Sequence, residues 1–363
     1  MAEQPQKVIK LALQGGGSHG AFTWGVLDRL LEDKRLRIGG VSGTSAGAMN
    51  AVALADGMAR GGPAQARECL ERFWAAVSAA AQYSPIRRSP IDLFMGNWSL
   101  DASPAYIMMD ILSRVCSPYE LNPWDLNPLR DVVATCIDFD RVNDRSGVKL
   151  FLTATNVRTG RPKVFRQPGI TLDCVMASAC LPFLFKAVEI DGESYWDGGY
   201  MGNPALFPLV DECEVGDLVL IQINPFHRPD VPRTARDIQN RLNEITFNAA
   251  LLKELRSLAF LWEVIHHEKL ERERYRDTRV HAIYDEGTML GLGVSSKLNA
   301  EWAFLTYLRD QGRKAADSWL SLHYHDLGVR NSLDLSWIFD ESVKPAHLPE
   351  DADRDYRLTA VAR

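Results

Sequence analysis

Val8-Ile9-Lys10-Leu11-Ala12-Leu13-Gln14-Gly15-Gly16-Gly17-Ser18-His19-Gly20 is the stretch that decides the fold. Its apolar start reads as a short buried strand, and the glycines end that strand abruptly. From Ala21 onward, Phe22, Val26, Leu27, Leu30 and Leu31 recur at helical spacing. The same order then repeats. An apolar run near Ile38 to Val41 enters Gly43-Thr44-Ser45-Ala46-Gly47, and Met49, Val52 and Leu54 resume the helical period. Strand, glycine turn and helix, twice in succession, predict a mostly parallel sheet covered by helices, so the expected fold class is α/β.

Working outward, further strands are expected at 149–154 and 217–223. Residues 84–130 are broken by prolines into short pieces rich in Met and aromatic residues, among them Phe94, Met95, Trp98, Tyr106, Met108 and Met109. That texture suits an apolar cap over a pocket, or a layer of short helices packed on the sheet. Residues 235–276 carry a long helical pattern, with Ile238, Leu242 and Ile245 on a stripe that Leu251, Leu255, Leu258, Trp262 and Ile265 continue. Such a helix packs on its own domain or lies on a membrane surface. Residues 341–363 read as a polar tail.

Composition narrows the function classes. The 363 residues carry 41 Lys+Arg against 47 Asp+Glu, a net charge of −6, with 46% apolar and 24% charged residues. These values exclude a disordered, collagenous or disulfide-scaffold chain. Mild acidity argues against nucleic acid as a partner, and against a basic surface for anionic lipid. The length suits about two units of roughly 150 residues, or one larger α/β unit. Six cysteines are dispersed with no C-x-x-C pair, which reads as buried thiols in a reducing compartment. The N-terminus lacks the layout of a signal peptide and no run is long enough to span a membrane, so a cytoplasmic location is expected.

The two glycine turns carry the chemistry. Gly15 to Gly20 fits G-x-G-x-x-G, which could cradle a dinucleotide pyrophosphate at a helix N-terminus. That reading needs an acidic residue at the end of the second strand, and none stands there. Gly43-Thr44-Ser45-Ala46-Gly47 matches the nucleophile elbow G-x-S-x-G in its strand-to-helix context. A serine attacking an ester makes an anionic oxygen that needs preorganised N–H donors. The Ala46 amide and the Gly15-Gly16-Gly17 loop are placed to give them. For the base, Asp197 in Tyr195-Trp196-Asp197-Gly198-Gly199 is a candidate, since a desolvated carboxylate gains basicity; an ordinary Asp-Gly turn fits the same residues.

Taken in order, Gly-Gly-Gly-Ser-His-Gly, Gly-Thr-Ser-Ala-Gly and Asp-Gly-Gly resemble the patatin-like phospholipase family. Ala154-Thr155-Asn156-Val157-Arg158-Thr159-Gly160 and Ala177-Ser178-Ala179-Cys180-Leu181-Pro182-Phe183 are similar to it too. The resemblance covers about residues 8–208, a patatin-like catalytic domain carrying the apolar cap at 84–130. Residues 209–340 would then supply remaining strands and a C-terminal helical extension on the same domain. It implies a three-layer α/β/α fold and a Ser–Asp dyad. Ser45 would be nucleophile and Asp197 base, with Gly15, Gly16 and Gly17 around the oxyanion. Gly20, Gly43, Gly47, Gly198 and Gly199 complete the motifs.

The implied activity is hydrolysis of lipid acyl esters through an acyl-serine, without metal or cofactor, with peripheral membrane contact. His19 departs from the pattern, standing where Arg or Lys is frequent. A histidine is only partly charged near neutrality, which favours a general acyl ester over a phosphate-bearing one. Acyl transfer to an alcohol or thiol, and a non-enzymatic lipid-binding module, are the alternatives.

Overall fold

The computed structural model describes residues 6–144, 147–267 and 277–335. Eight strands build one sheet: β1 (Lys7–Leu13), β2 (Leu36–Gly43), β3 (Lys149–Asn156), β4 (Pro162–Arg166), β5 (Val188–Ile190), β6 (Glu193–Asp197), β7 (Asp217–Ile221) and β8 (Arg279–Ile283). Their order is β5-β6-β3-β2-β1-β7-β8, with β4 paired to β3 off that path. The β1–β2, β1–β7, β2–β3 and β7–β8 pairs are parallel; β3–β4, β3–β6 and β5–β6 are antiparallel. The sheet is mixed and mostly parallel, as the two glycine turns predict.

Alternation along the central strands makes the layers. Ile9, Leu11, Leu13, Val219 and Ile221 face one core, while Ala12, Leu218 and Leu220 face another. The first core is covered by α1 (Gly20–Glu32), α2 (Ala46–Gly61), α3 (Pro63–Ala81) and the Trp302–His323 helix, through Phe22, Leu54, Phe73 and Phe304. Leu251, Leu255 and Ala259 of the Ala235–His267 helix cover the second. The result is three layers, α/β/α, with a helical C-terminal region.

The long helix departs from the expected single stripe. Leu251, Leu255 and Ile265 are buried, but Ile238, Leu242 and Ile245 nearer its start are exposed. Residues 84–130 form short helices, including Pro90–Phe94, Pro104–Val115 and Pro118–Leu121, with proline in the first turn of each. Phe94, Met108, Ile111 and Trp124 of this segment are exposed. The six cysteines form no disulfide with one another, and five of them are buried. Residues 268–276 and the 341–363 tail lie outside the described residues. No helix among the described residues is long and apolar enough to cross a membrane.

The chain runs from β1 through β2 to β3 on one side, then returns to the other side of β1 with β7 and β8. Strand order therefore reverses at β1. The crevice beyond the carboxyl ends of strands at such a point is where open α/β sheets bind ligands.

Candidate active site

Ser45 lies two residues beyond β2, where the chain turns into α2. Its backbone has φ 56° and ψ −122°, a conformation that costs a non-glycine residue on the order of 1–3 kcal/mol. Neighbours hold it there. The Ser45 amide donates to Ser178 Oγ at 3.0 Å, and that hydroxyl donates to the Thr153 carbonyl at 2.6 Å. Thr44 Oγ1 donates to the Gly202 carbonyl at 2.7 Å. Behind the turn, a Cβ on Gly47 would stand 2.2 Å from the Leu13 carbonyl, so α2 begins directly against the end of β1. Gly43 is the last residue of β2, level with Leu13 of β1 and Leu152 of β3.

The first glycine turn meets the second at Gly15. A Cβ there would be 2.7 Å from both Ser45 Cβ and the Thr44 carbonyl oxygen. The Gly15 amide donates to Asn203 Oδ1 at 2.6 Å, and its carbonyl accepts from Asn224 Nδ2 at 3.0 Å. The expectation of three glycine donors narrows accordingly, because the Gly15 N–H is already engaged. The amides of Gly16, Gly17 and Ala46 donate to nothing among the described residues. The Gly20 carbonyl, opening α1, accepts from Asn50 Nδ2 at 2.9 Å and so ties α1 to α2.

Asp197 ends β6 opposite Ala154 of β3 and is fully buried. Its amide donates to the Cys180 carbonyl at 2.7 Å, and its carbonyl accepts from Thr155 Oγ1 at 2.8 Å. Oδ1 accepts from the Gly199 amide, across Gly198, at 2.7 Å. Oδ2 is buried with no full hydrogen bond, although the Ser45 side chain is near enough to act on the carboxyl. Burial pushes the Asp197 pKa up to about 6, against the Gly199 amide, the Ser45 side chain and the Lys297 charge, which all favour the anion.

His19 turns away from the loop into the core. Its Nε2 is hydrogen-bonded with Ser296 Oγ at 2.8 Å and its ring meets Phe304 edge-on. Burial, then the Lys297 charge, hold its pKa well below 6.5, so the ring is neutral near pH 7. The Cys180 thiol donates to the Lys186 carbonyl at 3.0 Å, and burial pushes it up to about 12, which fits a small buried residue without chemistry.

Sequence reasoning missed three residues. Asn203 and Asn224 hold the two sides of Gly15, and each precedes a proline, the one local hint available. Lys297 gives no hint. Its Nζ donates to Asn224 Oδ1 and Asn243 Oδ1, both at 2.9 Å, and burial pushes its pKa down to about 8. Among the described residues no group of three His, Cys, Asp or Glu side chains could hold a metal ion.

Comparison with known proteins bears on the same stretch. A cGAMP-activated phospholipase of Escherichia coli (strain TW11681) is 26% identical over 220 residues, 54% of this chain and 53% of its own length. The chain thus spans about half the length of that curated relative. VipD from Legionella pneumophila aligns over 87% of this chain and 67% of its own, with a TM-score of 0.40 at 17% identity. The ExoU–SpcU complex of the Pseudomonas aeruginosa type III secretion system aligns over 88% and 60%, with a TM-score of 0.29 at 18% identity. The family pattern described as patatin-like phospholipase matches residues 11–210, more than half of the chain. That span holds both glycine turns, Ser178, Asp197 and Asn203, and by this match the chain belongs to the patatin-like phospholipase family.

Proposed function

We propose that the chain is a lipid acyl hydrolase of phospholipase A or lysophospholipase type, with Ser45 as nucleophile and Asp197 as its base. One observation carries the reading. A serine held at φ 56° on a strand-to-helix turn faces a fully buried aspartate whose second oxygen has no other partner.

As Ser45 Oγ bonds to the ester carbonyl carbon, its proton passes to Asp197 Oδ2 and the carbonyl electron pair moves onto oxygen. The free amides of Gly16, Gly17 and Ala46 receive that charge; one such donor is worth about 3–4 kcal/mol in the transition state. Collapse breaks the ester C–O bond, and Asp197 returns the proton to the departing alcohol. Water then attacks the acyl-serine, gives its proton to Asp197, and fatty acid leaves as Ser45 Oγ is reprotonated. A base with pKa near 6 is ionised at neutral pH and still accepts a proton readily. An alcohol taking the place of water would turn the same intermediate to acyl transfer.

Peripheral contact with a lipid surface accompanies this reading. Exposed Phe94, Met108 and Ile111 lie on a segment whose Leu100 amide donates to Ser295 Oγ at 3.2 Å, next to the Ser296 that holds His19. The test is a fluorophosphonate treatment followed by peptide mass spectrometry on wild type, Ser45→Ala and Asp197→Asn, with and without phospholipid vesicles. One adduct on Ser45, slowed in Asp197→Asn, together with fatty acid released from the vesicles by wild type, is expected. An unlabelled Ser45 in folded protein with vesicles present overturns the proposal.

A further inference from the structure

The glycine loop brings no cation of its own to the site, since His19 is buried, hydrogen-bonded to Ser296 and neutral. The short turn Ser295–Leu298 brings one from far along the chain. A Cβ on Gly17 would lie 2.4 Å from the Lys297 carbonyl oxygen and 3.2 Å from Lys297 Cβ, so this turn packs directly on the loop. The Lys297 ammonium donates to Asn224, which in turn donates to the Gly15 carbonyl. It also stands 5.7 Å from the centre of the Phe247 ring, and that ring covers Gly199, beside Asp197. Lys297 thus links the two halves of the site.

Its partners are unusual for a desolvated cation. Both of its hydrogen-bond acceptors, Asn224 Oδ1 and Asn243 Oδ1, are neutral. Glu244, the acid beside Asn243, is occupied by Arg228 at 2.6 Å and Arg241 at 3.2 Å. Among the described residues no carboxylate pairs with Lys297, and its ammonium has three donors of which two are used. Asp197 and Glu244 favour its charge only from a distance and do not offset the cost of its burial, so an anion arriving in direct contact relieves that cost.

We propose that Lys297 binds the headgroup phosphate of a glycerophospholipid, with the scissile ester of the same glycerol over Ser45. This inference rests on the hydrolase reading and adds to it a specificity-determining residue for the phospholipid headgroup. The phosphate is the one permanent anion that such a substrate carries next to its acyl esters. A charge-assisted hydrogen bond to it separates phospholipids from neutral glycerides.

The experiment compares kcat/KM on a phosphatidylcholine and on a monoacylglycerol of the same acyl chain, in the same mixed micelles. Wild type, Lys297→Met, Lys297→Arg and Asn243→Ala are the proteins. In Lys297→Met the phospholipid-to-glyceride ratio is expected to fall roughly 10- to 100-fold, chiefly through KM for the phospholipid. Lys297→Arg restores most of it. Asn243→Ala, which loosens the anchor and keeps the charge, retains most of the preference. An equal loss on both substrates would make Lys297 a support of Asp197 or of the oxyanion, and would overturn the proposal. So would an unchanged ratio, or the same fall in Asn243→Ala as in Lys297→Met. Turnover of neither substrate by wild type is a different failure, that of the hydrolase reading itself.

Discussion

Two groupings of serine and aspartate lie at opposite edges of the one sheet. At the amino edge, Asp217 opens β7 level with Ile9 of β1. Its Oδ1 is hydrogen-bonded with His281 Nε2 at 3.2 Å, and His281 Nδ1 with Ser332 Oγ at 2.9 Å. At the carboxyl edge, Ser45 faces Asp197 with no histidine between them. By residue type, the first grouping is the catalytic triad. By environment it is a clasp. Asp217 Oδ1 also accepts from Arg279 Nε and from the Gly328 amide, each at 2.9 Å. Burial alone would raise the Asp217 pKa, but the bonds from His281, Arg279 and Gly328 carry it down to about 2. The carboxyl edge shows the opposite state: a strained serine, an orphaned carboxylate oxygen and amides without acceptors. Satisfied polar groups hold a fold together; groups left unsatisfied and strained are where chemistry is performed.

The sharpest way to break this comparison is to remove each serine in turn. Ser45→Ala is expected to lower turnover of a soluble acyl ester by about 10⁴-fold or more, the loss seen when a nucleophile is deleted from a working unit. Ser332→Ala should leave turnover at the wild-type level and lower the melting temperature. If Ser332→Ala were the inactive protein, the clasp and the site would have to exchange roles.

The two aspartates should then diverge in stability as well as in activity. Asp197 has its pKa raised from 3.8 to about 6. The folded state therefore binds its proton more tightly than the unfolded chain, and the stabilisation present below pH 3.8 is lost as pH rises through 6. At pH 7.5, Asp197→Asn removes that burden. It should be more stable than wild type by on the order of 1–3 kcal/mol, while losing about 10²- to 10⁴-fold in rate. Asp217 is shifted the other way, from 3.8 to about 2. Its stabilisation is present above pH 3.8 and lost as pH falls through 2, so Asp217→Asn should melt earlier at neutral pH and keep its activity per folded molecule. Urea melts of both variants at pH 7.5, with ester turnover on the same samples, read the two signs at once.

How much of this was legible in the sequence depends on how local each signal is. The turns around Gly15 and Ser45 could be read because strand, loop and helix follow within one short stretch, and a sharp turn admits few residue types. Asp197 could be read only as a carboxylate before two glycines; its burial comes from β3 and from the Cys180 carbonyl, which no local pattern reveals. Strands β4, β5 and β6 escaped notice because they are only three to five residues long. β8 escaped because Arg279 and His281 interrupt its apolar run to reach Asp217. The stripe on the long helix was visible, but not that its first part is exposed, since burial belongs to the partner and not to the helix. Lys297 was beyond reach because its meaning lies wholly in Gly17, Asn224 and Asn243, all distant in sequence.

The smallest expected effect tests the proton path within the carboxyl-edge site. With Asp197 as the only base, kcat/KM for an uncharged soluble ester should rise with pH through one ionisation near 6 and then level off. Between pH 7.5 and pH 5 the fall should be about tenfold. In the proposed dyad this limb belongs to a carboxylate and not to an imidazole, because the proton on His19 is lost well below 6.5 and its Nε2 is engaged by Ser296. His19→Asn should therefore keep the same rising limb even if its overall rate is lower. In Asp197→Asn the limb should vanish from whatever activity remains. A limb that survives in Asp197→Asn and disappears in His19→Asn would move the base to the glycine loop, and the orphaned oxygen of Asp197 would need another explanation.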